Sequence, residues 1–182
     1  MRVGIFVAIS SADSPELDAE LDMLGPDLPD GVLLADCRGR ADLQHLSVKL
    51  SVREALANRP EGAVRILALA GQSPAGVLAL SDLPGGTRRL AGLLWDPAAL
   101  AQAIDIAPEA STVKMAGSQV VFAAAAAGVP AFFVASPLQD DDATLVRRCA
   151  QARRAGFAGA VLKTPAHFAA VRRRPDMIDK RP

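Results

Sequence analysis

The chain has 182 residues, 51% of them apolar, which is enough to fill one core and makes a single domain over residues 1–175 with a tail at 176–182 the expected organisation. Twenty basic side chains balance twenty acidic ones, so no net field draws the chain to nucleic acid or to an anionic membrane. Two cysteines, Cys37 and Cys149, are too few for a disulfide framework and lack a metal-binding spacing, so a reduced cytoplasmic setting is expected.

The first apolar run, Val3 to Ile9, is dense enough for a strand covered on both faces and too short to cross a membrane. Ser14-Pro15-Glu16 then reads as a helix start, with Ser14 as N-cap and Pro15 in the first turn. Leu17, Leu21 and Leu24 give that helix one apolar face, and Gly25-Pro26 stops it. Gly31 to Ala35 is a second strand, followed by a helix with Leu43, Leu46 and Leu50 on one side. Val64 to Ala70 is a third strand. A Gly/Ser/Pro turn and a short helix near Gly76 to Leu80 follow it.

Leu90 to Trp95 is a fourth strand, and Asp96-Pro97 repeats the cap-then-proline signal. Val113 to Ala127 is a helix so rich in alanine that close packing and extensive burial are expected. Ala131 to Ala135 is a fifth strand. Asp140, Asp141 and Asp142 favour the positive end of the next helix, which Gly156 ends. Ala160 to Leu162 is a sixth strand and Pro165 to Arg173 a last helix. Strand and helix alternate throughout, which predicts an α/β fold with parallel strands and right-handed crossovers. The basic tail around Arg172, Arg173, Arg174, Lys180 and Arg181 reads as a solvated terminus.

The order and spacing of these segments resemble the HpcH/HpaI aldolase and citrate lyase beta-subunit family. Asp30-Gly31-Val32-Leu33-Leu34 is similar to a strand that ends in Pro-Lys there. Val64 to Leu69 with Ser73-Pro74-Ala75-Gly76-Val77 is similar to the strand leading to a Glu-Thr pair. Leu90-Ala91-Gly92-Leu93-Leu94-Trp95 resembles the strand before a Glu-Asp-Leu triplet. Ser118 to Ala131 and Ala155 to Gly159 resemble the approaches to strands seven and eight. The resemblance implies an incomplete (β/α)₈ barrel of about six βα units that begins at the family's third strand. Eight strands close such a barrel, so six leave two open edges. The expected partner is another copy of the chain or a full-length homologue; the competing expectation is an open sheet protected by its own terminal helices.

The same resemblance implies a chemistry: an arginine holds the substrate carboxyl, and a glutamate and an aspartate hold Mg²⁺, which steadies the enolate left by C–C cleavage. In this registration the arginine position is Ala8, the strand-four lysine position is Asp36, the glutamate position is Gln72, and the Glu-Asp positions are Ala98 and Ala99. Mg²⁺ sheds water reluctantly and needs anionic oxygens, which alanine and an amide do not supply. The resemblance therefore implies a degenerate, non-catalytic member, without cofactor, acting as scaffold, binder of a small acid or acyl-CoA, or partner of a complete lyase. The alternative is an active Mg²⁺-dependent lyase or aldolase with Asp36 and Asp96 as relocated ligands. A third reading is a ligand-binding module that uses the strand-end mouth as a pocket.

Asp96 also reads as the N-cap of the helix at Pro97, and Asp36 as a structural carboxylate. Lys163 follows the last strand and reads as an exposed loop residue rather than a Schiff-base lysine. His45 and His167 lack neighbours at a triad or metal spacing. Cys37 reads as a small core residue in preference to a reactive thiol. Gly71-Gln72-Ser73-Pro74-Ala75-Gly76 lacks the Lys-Ser/Thr ending of a phosphate loop.

Overall fold

The computed structural model describes residues 4–135 and 142–162. Six strands alternate with helices: β1 (Phe6–Ile9), α1 (Leu17–Asp22), β2 (Gly31–Cys37), α2 (Arg40–Leu56), β3 (Arg65–Ala70), α3 (Pro74–Leu78), a 3₁₀ turn (Leu80–Asp82), β4 (Leu90–Trp95), α4 (Pro97–Ala103), α5 (Ser111–Ala126), β5 (Ala131–Ala135), α6 (Asp142–Arg154) and β6 (Gly159–Leu162). The strands form one parallel sheet in the order β1-β2-β3-β4-β5-β6. That is the order of a (β/α)₈ barrel, open here for want of closing strands, so β1 and β6 are edges among the described residues. Lys163, His167, the last predicted helix and the basic tail lie outside those residues, as do Val3, Asp140 and Asp141. Among the described residues no helix is long and apolar enough to cross a membrane.

The two faces of the sheet differ. Val32, Leu34, Ile66, Ala68, Ala70 and Leu93 are fully buried, as are Leu43, Leu46 and Leu50 on α2 and Val120 on α5. Because side chains alternate along a strand, Leu33, Leu67, Leu69 and Phe132 point to the opposite, concave face, where they are half-buried. Phe6 stands on that face against Gly31, and Phe132 crosses Gly92. A side chain at Gly31 would collide with the Phe6 ring and one at Gly92 with Phe132 at 2.8 Å. The glycines thus let aromatic rings lie across the concave face of the sheet.

Three sequence expectations are corrected. β1 is exposed along Phe6, Val7 and Ala8 instead of covered on both faces, and among the described residues no strand pairs with its outer edge. α1 begins at Leu17: the Ser14 hydroxyl accepts from the Glu16 amide at 3.2 Å and closes a turn ahead of the helix instead of capping it. α5 buries only one face, Val113, Ala116, Gly117, Val120, Ala123 and Ala124, while Met115 and Phe122 face solvent.

Beneath the sheet, at the amino-terminal ends of β3 and β4, lies a buried ion pair. Glu54 from α2 accepts from Arg89 at 2.6 and 2.7 Å and from the Val64 and Gly62 amides at 2.7 and 2.9 Å. Every oxygen is answered, which a buried charge requires.

Candidate functional site

Parallel α/β sheets place binding groups at the carboxyl ends of their strands. Here those ends carry Ser10 and Ser11 after β1, Asp36 and Cys37 closing β2, Gly71 and Gln72 after β3, and Trp95 and Asp96 at β4.

At the tip of β1, the Ser10 amide and hydroxyl both donate to Glu20 at 2.7 Å, tying the strand end to α1. These bonds, the amide's first, hold the Glu20 carboxyl below its ordinary range. At the tip of β2, Asp36 adopts a left-handed backbone with φ 41°, a conformation that aspartate tolerates better than most residues. Its amide donates to the Gln72 side-chain oxygen at 2.8 Å. Its carboxylate receives the Arg38 guanidinium, Nε at 2.8 Å and Nη2 at 2.7 Å. Arg38 also reaches Asp13 at 3.1 Å, so one guanidinium bridges the loops after β1 and β2. The Asp13 carboxyl is lowered, first by the Ser11 hydroxyl and then by Arg38.

At the tip of β4, the Asp96 carboxylate accepts from the Ala98 amide at 3.0 Å with Pro97 in the first turn. This is the N-cap that the sequence predicts. Ala98 and Ala99 occupy the same first turn and offer no polar side chain. Ser73 likewise caps α3, accepting from the Gly76 amide at 3.2 Å, so the glycine-rich turn serves the helix start. Trp95 fills the space above β4: a side chain at Gly117 would meet its ring nitrogen at 2.9 Å and one at Gly71 its ring carbon at 3.1 Å.

A hard divalent cation fits these residues poorly. It needs several anionic oxygens in one place. Asp36 is already paired with Arg38, Asp96 with a helix amide, and the Gln72 oxygen with the Asp36 amide. Among the described residues no three His, Cys, Asp or Glu side chains gather as a metal cluster. Ala8 is exposed on β1 and His45 on α2. Cys37 is buried, its thiol donates toward the Gly39 carbonyl at 3.7 Å, and burial pushes its pKa up to about 12. Burial raises the Cys149 thiol too. Neither is an activated nucleophile.

Two cavities open on the structure, the second of them against the β4 tip at Trp95. One of about 600 Å³ runs beside β1 and is lined by Ile5, Val7, Met23, Leu28 and Asp27 among others. Another of about 420 Å³ lies between α5 and α6, over Trp95 and Phe133. Neither is lined by Asp36, Gln72 or Asp96.

The Arg38 bridge and the Gln72 contact were not foreseen from the sequence. Asp36 and Gln72 stand 36 positions apart and meet only because β2 and β3 are neighbours. The one available signal is that both follow apolar runs and therefore share a strand-end level.

No protein-family model matches this sequence, and no curated protein matches it significantly. Solved structures do match its fold. It is similar to RipC from Yersinia pestis, with 21% identity and a TM-score of 0.83 over 98% of this chain and 78% of that one. It is similar to a citrate lyase from Burkholderia xenovorans LB400, with 16% identity and a TM-score of 0.81 over 99% of this chain but only 58% of that one. CitE from Mycobacterium tuberculosis, solved with magnesium and acetoacetate, matches with 19% identity and a TM-score of 0.72 over 96% of this chain and 70% of that one. The fold is therefore the one these solved structures share, spanned only in part, as the order of the apolar segments implied.

Proposed function

We propose that this chain is a citrate lyase beta-like half-barrel without metal-dependent lyase chemistry, retained as an assembly or ligand-binding subunit that works beside a complete lyase. The observation that carries this reading is the use of the strand tips. Three oxygens that could have gathered around a cation each hold a protein group instead: Gln72 the Asp36 amide, Asp36 the Arg38 guanidinium, and Asp96 the Ala98 amide. Stripping Asp36 from Arg38 would leave that guanidinium with Asp13 alone among the described residues, and stripping Asp96 would uncap α4. A cation must overcome both losses while receiving no carboxylate from Gln72, Ala98 or Ala99.

Calorimetric titration with Mn²⁺ and Mg²⁺ tests the reading. The expected result is no saturable binding, in the parent chain or in Asp36→Asn and Asp96→Asn variants. Saturable binding abolished by both substitutions would overturn it and establish the relocated carboxylate pair. The ligand side is tested with acetoacetate and coenzyme A, which a CitE structure from M. tuberculosis contains together with magnesium. Thermal stabilisation by either compound is expected to be unchanged by a chelator. Stabilisation that requires Mg²⁺ would contradict the proposal.

A further inference from the structure

The sheet's two edges are chemically opposite. On β1, the Ile5 carbonyl accepts from the Gly31 amide, so by the alternation of a parallel strand the amides and carbonyls of Phe6 and Ala8 face away from β2. The side chains there are apolar and open: Ile5 is 66% exposed, Phe6 38% and Val7 36%. An unpaired strand of this kind is a template for another strand. The flanking segment from Glu16 to Asp30 holds six acidic residues and no basic one. Asp18 and Asp22 are answered by Lys49 and Arg53 from α2, whereas Glu16 and Asp27 are exposed and form no ion pair among the described residues.

At the far edge, β6 pairs only with β5 among the described residues. The segment from Asp142 to Leu162 holds four arginines, Arg147, Arg148, Arg153 and Arg154, against Asp142 alone. Arg148 is taken by Glu109, while Arg147 and Arg154 stand exposed on α6.

We propose that copies of this chain associate head to tail, the β1 edge of one against the β6 edge of the next, as a continued parallel sheet. Charge decides among the possible pairings. A two-fold contact of β1 with β1 sets acidic segment against acidic segment, and β6 with β6 sets arginines against arginines. Only β1 with β6 brings opposite signs together, and like-charge juxtaposition across an interface is costly. Strand direction agrees: with the order β1 to β6 all parallel, a following β1 continues the same sense. The contact is heterologous, so it builds a ring if the rotation closes and a filament if it does not. This assembly stands independently of whether the strand tips retain chemistry.

The test is sedimentation velocity over a concentration series of the full chain at low and high salt. The parent chain is expected to assemble beyond a monomer at low salt and to weaken as salt rises. Ala8→Pro removes an outward amide without touching the β1–β2 ladder, so it is expected to abolish assembly while leaving the circular dichroism spectrum unchanged. Asp27→Arg and Arg154→Asp, each alone, are expected to raise the dissociation constant roughly fivefold or more, and together to restore it. The charge pair decides the matter if the proline variant fails to fold. A monomeric parent at low salt, undiminished assembly in Ala8→Pro, tighter assembly in Asp27→Arg, or a double variant weaker than both single ones would each overturn the proposal.

Discussion

Replacing Glu54 by Gln should destabilise the fold more than any exposed substitution. Glu54 is 1% exposed and Arg89 4%, so neither charge is solvated once its partner is gone. The carboxylate accepts four bonds, two from Arg89 and one each from the Val64 and Gly62 amides. Gln keeps the shape but removes the charge and turns an amide group toward donors. Breaking a buried pair from one side costs about 3–5 kcal/mol, because the remaining charge stays buried without compensation. That is a large share of the roughly 5–15 kcal/mol that holds a domain folded. Urea unfolding at neutral pH, compared with the parent at equal m-value, measures it. The paired change Glu54→Met with Arg89→Met should cost less than the sum of the two single changes, since no lone charge is left. Acid supplies a second readout. Burial alone would raise the Glu54 carboxyl, but the bonds from Arg89, Val64 and Gly62 outweigh it and hold the group below its ordinary value of 4.5. A lowered folded-state pKa gives stability that is fully present above 4.5 and lost as pH falls through the folded value, so Glu54→Gln should flatten the acid limb of the stability curve. A loss under about 1 kcal/mol, or an unchanged acid limb, would refute the claim that this pair pins α2 beneath β3 and β4.

Asp96→Ala should cost about 1 kcal/mol through loss of the α4 cap, measured by urea unfolding, and Asp96→Ser should recover most of it; no recovery by serine would show that the carboxylate does something besides capping. Cys37 and Cys149 should resist a thiol reagent in the folded chain at mildly alkaline pH, because burial pushes Cys37 up to about 12 and raises Cys149 as well; both should label in denaturant, and fast labelling of Cys37 in the native state would contradict its place in the core.

The strands were legible because burial on the helix side demands uninterrupted apolar runs. Leu90–Trp95 and Ala131–Ala135 begin and end where composition says they should. The α2 stripe of Leu43, Leu46 and Leu50 is equally plain, and its continuation by one more turn lands on Glu54. A carboxylate on an apolar stripe is a sequence signal for a buried partner, but the partner, Arg89, lies 35 positions on and is named only by the fold. α5 was misjudged because alanine is compatible with burial and exposure alike, so its composition does not say which face is covered. The start of α1 was misplaced because Ser14 is equally competent to close a turn and to cap a helix. At the strand tips the registration located Asp36, Gln72, Asp96 and Ala98, and the cap at Asp96 followed from the Asp-Pro pair. What the residues hold there depends on contacts across strands, which local pattern does not encode.

The two ends of the sheet divide the labour. Stability comes from the buried helix-facing side chains along the strands and from Glu54 with Arg89 at the amino-terminal ends, whereas Asp36, Gln72 and Asp96 at the tips are only half-buried. The tips can therefore change without loss of the scaffold, which is why a fold shared with RipC at 21% identity tells little about chemistry. The edge of the sheet is a different matter: Ile5, Phe6 and Val7 are exposed along β1, which pairs only with β2 among the described residues. An open parallel sheet is held in solution only if something covers such an edge or charge keeps wrong partners away. In the association proposed above, the acidic segment beside β1 would perform the second task and select for the first: it would repel its own copy edge to edge and attract the arginines of α6 in another.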